Sequence, residues 1–157
     1  MSGATGRLGL FKAPGRAERA EAGRLLEMMR IAHLAERPLG QLSGGERQKV
    51  FLARAIIQQP DILLMDEPTS NLDIAVQKEV LNLIDEIHRQ GSMTIVFVTH
   101  DFNLLPEAIE RAVLLKRGRI MFDGPISTAL SSAQLSALFD YPLLSFEQDG
   151  RRFVSYA

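Results

Sequence analysis

Ile62-Leu63-Leu64-Met65-Asp66-Glu67-Pro68 runs four apolar residues into two adjacent carboxylates and a proline. A short apolar run ended by turn chemistry reads as a buried strand. In open α/β sheets, ligands gather outside the carboxyl ends of the strands, so both acids are expected at a crevice. Asp66 there suits a magnesium ion, held directly or through water, and Glu67 suits polarising a water that attacks a phosphoryl group. An acidic turn closing an ordinary strand accounts for the same residues equally well.

Downstream, Ile74 to Gln90 carries Val76, Val80, Leu83, Ile84 and Ile87 at helical spacing, and Met93 to Thr99 is rich in β-branched residues. Strand, helix and strand in that order predict a βαβ unit with parallel, buried strands. His100 follows the second strand and is expected at the same sheet edge as Asp66 and Glu67. A neutral imidazole at that edge can hydrogen-bond a terminal phosphate. A lone histidine after a strand is more often a loop residue, and only its place beside the carboxylates favours the functional reading.

Upstream, Ala17 to about Leu34 predicts an amphipathic helix, interrupted by Pro38 and Gly40. Ser43 is a good N-cap for a second helix through about Gln59, and Ser43 with Glu46 fits a capping box. Gly44 and Gly45 then stand in the first turn, where each costs helix stability relative to other residues. Capping does not explain them. Glycines at a helix N-terminus let an anion approach the unpaired backbone N–H groups closely, and Ser43 adds a hydroxyl.

Toward the other end, Ala112 to Lys116 and Ile120 to Phe122 flank Arg117-Gly118-Arg119 as a hairpin. Ser127 to Leu138 predicts short helices broken at serines, and Leu143 to Tyr156 predicts edge strands around Asp149-Gly150. Residues 1 to 15 show no periodicity and read as a loop.

Composition narrows the function classes. The 157 residues are 46% hydrophobic and 24% charged, which fits one globular domain with a real core. Eighteen basic and nineteen acidic residues give a formal charge of -1, so no global field marks a nucleic-acid binder. The absence of cysteine removes disulfides, thiolate metal sites and cysteine nucleophiles. No stretch approaches the roughly 18 apolar residues of a membrane span.

Leu42-Ser43-Gly44-Gly45-Glu46-Arg47-Gln48, then Ile62 to Glu67, then Ser70-Asn71-Leu72-Asp73 and finally His100 resemble, in order and spacing, four motifs of the ATP-binding-cassette family. These are its signature, Walker B segment, D-loop and switch histidine. The resemblance covers about residues 6 to 126. It implies a partial P-loop NTPase fold of the α/β class, with a parallel sheet core and a helical subdomain at the N-terminal end. The chain is then a single partial domain over 1–157: helical subdomain with the signature at about 7–59, core at about 60–126, and C-terminal helices and edge strands at about 127–157.

The resemblance also implies a mechanism in which ATP is sandwiched between two subunits. Ser43, Gly44, Gly45 and Glu46 belong to the turn that meets the partner's nucleotide, with the first three at its γ-phosphate. Asp66 orders magnesium, Glu67 is the general base, His100 senses the γ-phosphate, and Asp73 communicates across the dimer. Implied partners are a second cassette subunit, a transmembrane permease and, indirectly, a substrate-binding protein, with the chain peripheral on the cytoplasmic face of the membrane.

The pattern G-x-x-x-x-G-K-[ST], whose glycine N–H groups and lysine cradle phosphates, does not occur, since Lys12, Lys49, Lys78 and Lys116 all lack a preceding glycine. Little or no ATP hydrolysis is therefore expected of the chain alone. The leading expectation is the ATPase subunit of an importer resembling those for iron chelates, cobalamin, zinc or manganese. The alternative is a non-enzymatic partner that supplies only the signature half-site. A cassette ATPase acting on DNA or ribosomes is disfavoured by the lack of long heptads, tandem cassettes and basic patches. Exposed apolar surface and poor solubility are expected where a neighbouring strand is missing.

Overall fold

The computed structural model describes residues 15–91, 93–148 and 151–157. Residues 1–14 of the loop expected over 1–15, and the Asp149-Gly150 turn, lie outside the described residues. The chain forms two compact units, one ending at Thr99 and one beginning at His100.

In the first unit, helix α1 spans Arg16–Met28 and helix α2 spans Gly44–Ile56, joined through 3-10 turns at Ala32–Leu34 and Leu39–Gln41. The predicted first helix thus stops early. Arg30 sits at φ 57, a left-handed conformation that ends the α-helical turn before Ile31. Strand β1 spans Ile62–Asp66, helix α3 Ile74–Gln90 and strand β2 Thr94–Val98. β1 and β2 are parallel, with Leu64 opposite Val96 and Asp66 opposite Val98. The βαβ expectation holds.

The core of this unit is built from Met29, Ile31, Leu34, Leu52, Leu63, Met65, Val80, Ile84 and their neighbours. α3 contributes its apolar face as the 3.6-residue spacing requires, with Val80, Leu83, Ile84 and Ile87 all buried. The expectation of a strand buried on both faces is corrected. Leu63 and Met65 are 6% and 7% exposed, while Ile62 and Leu64 are 64% and 66% exposed. Side chains alternate across a strand, and only one face has a layer packed on it among the described residues. Val96 and Val98 of β2 share that open face.

The second unit contains β3 (Arg111–Lys116), β4 (Arg119–Pro125), short helix α4 (Ile126–Ala129), α5 (Ser132–Phe139), β5 (Leu143–Gln148) and β6 (Arg151–Tyr156). β3 and β4 are antiparallel, as are β5 and β6. Arg117 at φ 51 and Gly118 at φ 74 make the two-residue turn between β3 and β4, the positive-φ pair that matches strand twist in tight hairpins. Leu114, Ala129, Leu130 and Leu135 are buried. Lys116 donates to Asp140 Oδ1 at 2.5 Å and also to the Ala137 carbonyl, which ties β3 to the end of α5. Residues 101–110 hold turns and no helix, consistent with Pro106, whose ring and missing N–H break a helix interior and which is buried here. Asn103 replaces a strand partner for β6: its Nδ2 donates to the Val154 carbonyl at 3.2 Å and its Oδ1 accepts from the Val154 N–H at 2.9 Å.

Candidate functional site

The first group is the turn that opens α2. Ser43 is extended, at φ -61 and ψ 165. Its Oγ accepts from the Glu46 N–H at 3.3 Å, while Glu46 Oε2 accepts from the Ser43 N–H at 2.8 Å. This reciprocal box satisfies two of the N–H groups that a helix start leaves unpaired. The bonds from Ser43, backbone first and hydroxyl second, hold the Glu46 carboxyl below the usual carboxylate range. Ser43 and Gly44 are exposed and Gly45 is buried.

The two glycines differ in what surrounds them. A Cβ on Gly44 would lie 3.5 Å from Leu72 Cδ2, an ordinary contact. A Cβ on Gly45 would lie 2.3 Å from Val76 Cγ1 and 3.4 Å from its Cβ, which no real side chain tolerates. Gly45 is therefore set by packing inside this chain, whatever approaches it from outside.

The second group lies at the carboxyl end of β1. Asp66 and Glu67 are both exposed. The Glu67 N–H donates to the Val98 carbonyl at 2.9 Å, which carries the parallel ladder one residue past the strand. Glu67 then turns to φ 46, a left-handed conformation that costs a non-glycine residue about 1–2 kcal/mol. The following turn holds it there: the Ser70 N–H donates to the Glu67 carbonyl at 3.0 Å and Ser70 Oγ to Glu67 Oε2 at 2.8 Å. Gln77 Nε2 reaches back from α3 to the Thr69 carbonyl at 3.2 Å. Backbone strain held by surrounding bonds is common where a side chain must be aimed. The sequence signal for this bond is the Ser70 hydroxyl three residues after the Glu67 carboxylate.

Asp73 caps α3, its Oδ1 accepting from the Val76 N–H at 3.0 Å. His100 is an exposed residue at the start of the second unit. The structure thus brings Asp66, Glu67 and Ser70 together at one strand end. It also sets Gly44 and Gly45 of the α2 turn against Leu72 and Val76, on either side of Asp73.

Magnesium binds through one or two carboxylates completed by water and phosphate oxygens. No cluster of three or more His, Cys, Asp or Glu residues able to hold a metal occurs among the described residues. Asp66, an exposed carboxylate at a strand end, fits the first kind of site and not an all-protein cage. No helix among the described residues is long and apolar enough to cross a membrane.

A signature-like turn and paired carboxylates after a parallel strand define an α/β fold of the P-loop NTPase type. Comparison with known proteins agrees. Residues 5–70 match the family model for ABC transporters. Over 115 residues the chain is 42% identical to the phosphonates import ATP-binding protein PhnC 2 of Nostoc sp., covering 73% of this chain and 47% of that protein. It is 33% identical to the uncharacterized ABC transporter ATP-binding protein YlmA of Bacillus subtilis, covering 100% of this chain and 60% of that protein. The solved inward-facing conformation of a metal-chelate type ABC transporter superposes with a TM-score of 0.86 at 32% identity, covering 99% of this chain and 62% of that one. These matches support an ATP-binding-cassette transporter ATPase subunit. It spans about half the length of the first of these relatives and 60% of the second.

Proposed function

We propose that the chain acts in the nucleotide-binding subunit of a membrane importer and supplies a signature half-site to ATP held by a second cassette subunit. The observation that carries this reading is the α2 turn. It is built and capped within the chain, with Ser43 and Gly44 exposed, while the sequence contains no G-x-x-x-x-G-K-[ST] loop of its own.

In this reading the backbone N–H of the exposed Gly44 and the Ser43 hydroxyl bind the terminal phosphate of the partner's nucleotide. Asp66 would hold magnesium, which neutralises phosphate charge when bound. Glu67, aimed by its left-handed backbone and by Ser70, accepts the proton of the attacking water. His100 hydrogen-bonds the γ-phosphate and Asp73 lies at the subunit contact.

The remaining partners are a transmembrane permease and, through it, a substrate-binding protein, which places the chain on the cytoplasmic face of the membrane. A metal or metal-chelate cargo draws on the match to the metal-chelate type transporter, which spans nearly the whole chain. Relatives named for phosphonate and for sulfate or thiosulfate import pull toward oxyanions. Cargo is selected by the other subunits, so the ATPase assignment is independent of it.

Calorimetric titration with Mg-ATP is expected to show no micromolar binding by the chain alone. Mixed with the full-length Bacillus subtilis relative carrying a disabled signature serine, the chain is expected to restore ATP hydrolysis, and Ser43→Arg to remove it. Micromolar binding by the chain alone, or hydrolysis indifferent to Ser43→Arg, overturns the reading.

A further inference from the structure

We propose that Val76 is a positioning residue that locks the signature turn to the D-loop of the same chain, so that the two move as one piece. This rests on the half-site reading above for its functional consequence, but the joint itself is a property of the first unit alone.

The start of α2 meets α3 and the loop before it through described residues. At the first turn of each helix, the Val76 side chain occupies the space that a Cβ on residue 45 would need, with 2.3 Å to Cγ1. Val76 is β-branched, its rotamer is stiff in a helix, and its Cβ is itself only 3.4 Å from the same point, so it cannot swing aside cheaply. At Gly44, one residue before Gly45, a Cβ would lie 3.5 Å from Leu72 Cδ2, four residues before Val76. One turn further along, Lys49 Nζ of α2 meets Glu79 Oε2 of α3 at 2.6 Å, with the Lys49 side chain only 12% exposed.

Residue 45 pairs with 76 and residue 49 with 79, so α2 and α3 run side by side in the same direction with their N-termini together. The link continues through the backbone: the same Val76 whose side chain meets Gly45 donates its N–H to Asp73 Oδ1. A displacement of the D-loop aspartate is thereby transmitted to the turn bearing Ser43 through one residue in close-packed contact, and packed interiors shift between discrete arrangements instead of deforming smoothly.

This gives Gly45 a reason to be glycine that is separate from any close approach of phosphate, and the two reasons predict different genetics. Three variants of the chain, Gly45→Ala, Val76→Ala and the double replacement, decide between them. If the joint is steric, Gly45→Ala alone lowers the melting midpoint by roughly 5 °C, in line with overpacking of a filled site. It also lowers signature-dependent hydrolysis with the Bacillus subtilis relative by about tenfold or more, as small misplacements of reacting groups do.

The double variant, with the space reopened, is expected to recover both the midpoint and the hydrolysis to the level of Val76→Ala. A Gly45→Ala chain that melts like the parent overturns the joint. A double variant whose midpoint recovers while hydrolysis stays as low as in Gly45→Ala overturns the positioning role and leaves close phosphate approach as the reason for the glycine. Absence of hydrolysis with the parent chain strikes the half-site reading instead, and the melting series still decides the joint.

Discussion

At the scale of single residues, the groups that matter most are held by bonds made within three positions in the chain. Ser43 and Glu46 cap each other, Ser70 fixes Glu67, and Asp73 caps α3. Ser43→Ala is expected to cost about 1 kcal/mol of stability, measured by denaturant titration, because it unpairs a helix-start N–H. Acid should act in the same direction. Bonds from Ser43 lower the Glu46 pKa, a side-chain bond from Arg111 lowers that of Asp123, and one from Lys116 lowers that of Asp140. A carboxylate depressed in the folded state adds stability above its unfolded pKa and loses it as pH falls through the folded one. The melting midpoint is therefore expected to hold near neutrality and to fall below about pH 4, the ordinary carboxylate range; Glu46→Gln should flatten part of that fall. These local devices were legible in the sequence because capping boxes and strand-end acids operate over a few residues. The packing of Val76 into the space beside Gly45 was not, since it joins positions 31 apart that only the packing of two helices brings together.

At the scale of elements, β1 poses the sharpest contrast. Leu63→Ala removes a buried side chain and is expected to cost about 2–5 kcal/mol in a denaturant titration. Leu64→Thr, one residue on, touches the open face and is expected to change stability little while raising the concentration at which the chain stays in solution, read by light scattering. Equal losses of stability at the two positions would contradict the alternation of burial along the strand. Periodicity revealed the helices and strands because local spacing reports which side chains share a face. It could not report how many faces are covered, and the apolar run Ile62 to Met65 reads the same for a strand buried on one side or on both. Likewise the Arg117-Gly118 hairpin was readable from its turn residues, whereas the capture of β6 by Asn103, 51 residues before its partner Val154, left no local mark. Asn103→Ala is expected to speed amide exchange at Val154, with exchange in the buried α3 segment unchanged.

At the scale of the molecule, the chain is two compact units: the α2 turn and the strand-end acids lie in the first, and His100 begins the second. Glu67→Gln is expected to abolish the hydrolysis restored in the mixture while leaving the melting midpoint near that of the parent, since Glu67 is exposed and a glutamine can keep the contact with Ser70. The half-covered sheet carries a consequence for this chain when it is made by itself in a cell. Ile62, Leu64, Val96 and Val98 form an apolar surface of the kind that chaperones grip and proteases reach first. Its abundance would then be metered by how quickly that surface is covered after synthesis, and a pulse-chase experiment should find Leu64→Thr outlasting the parent chain.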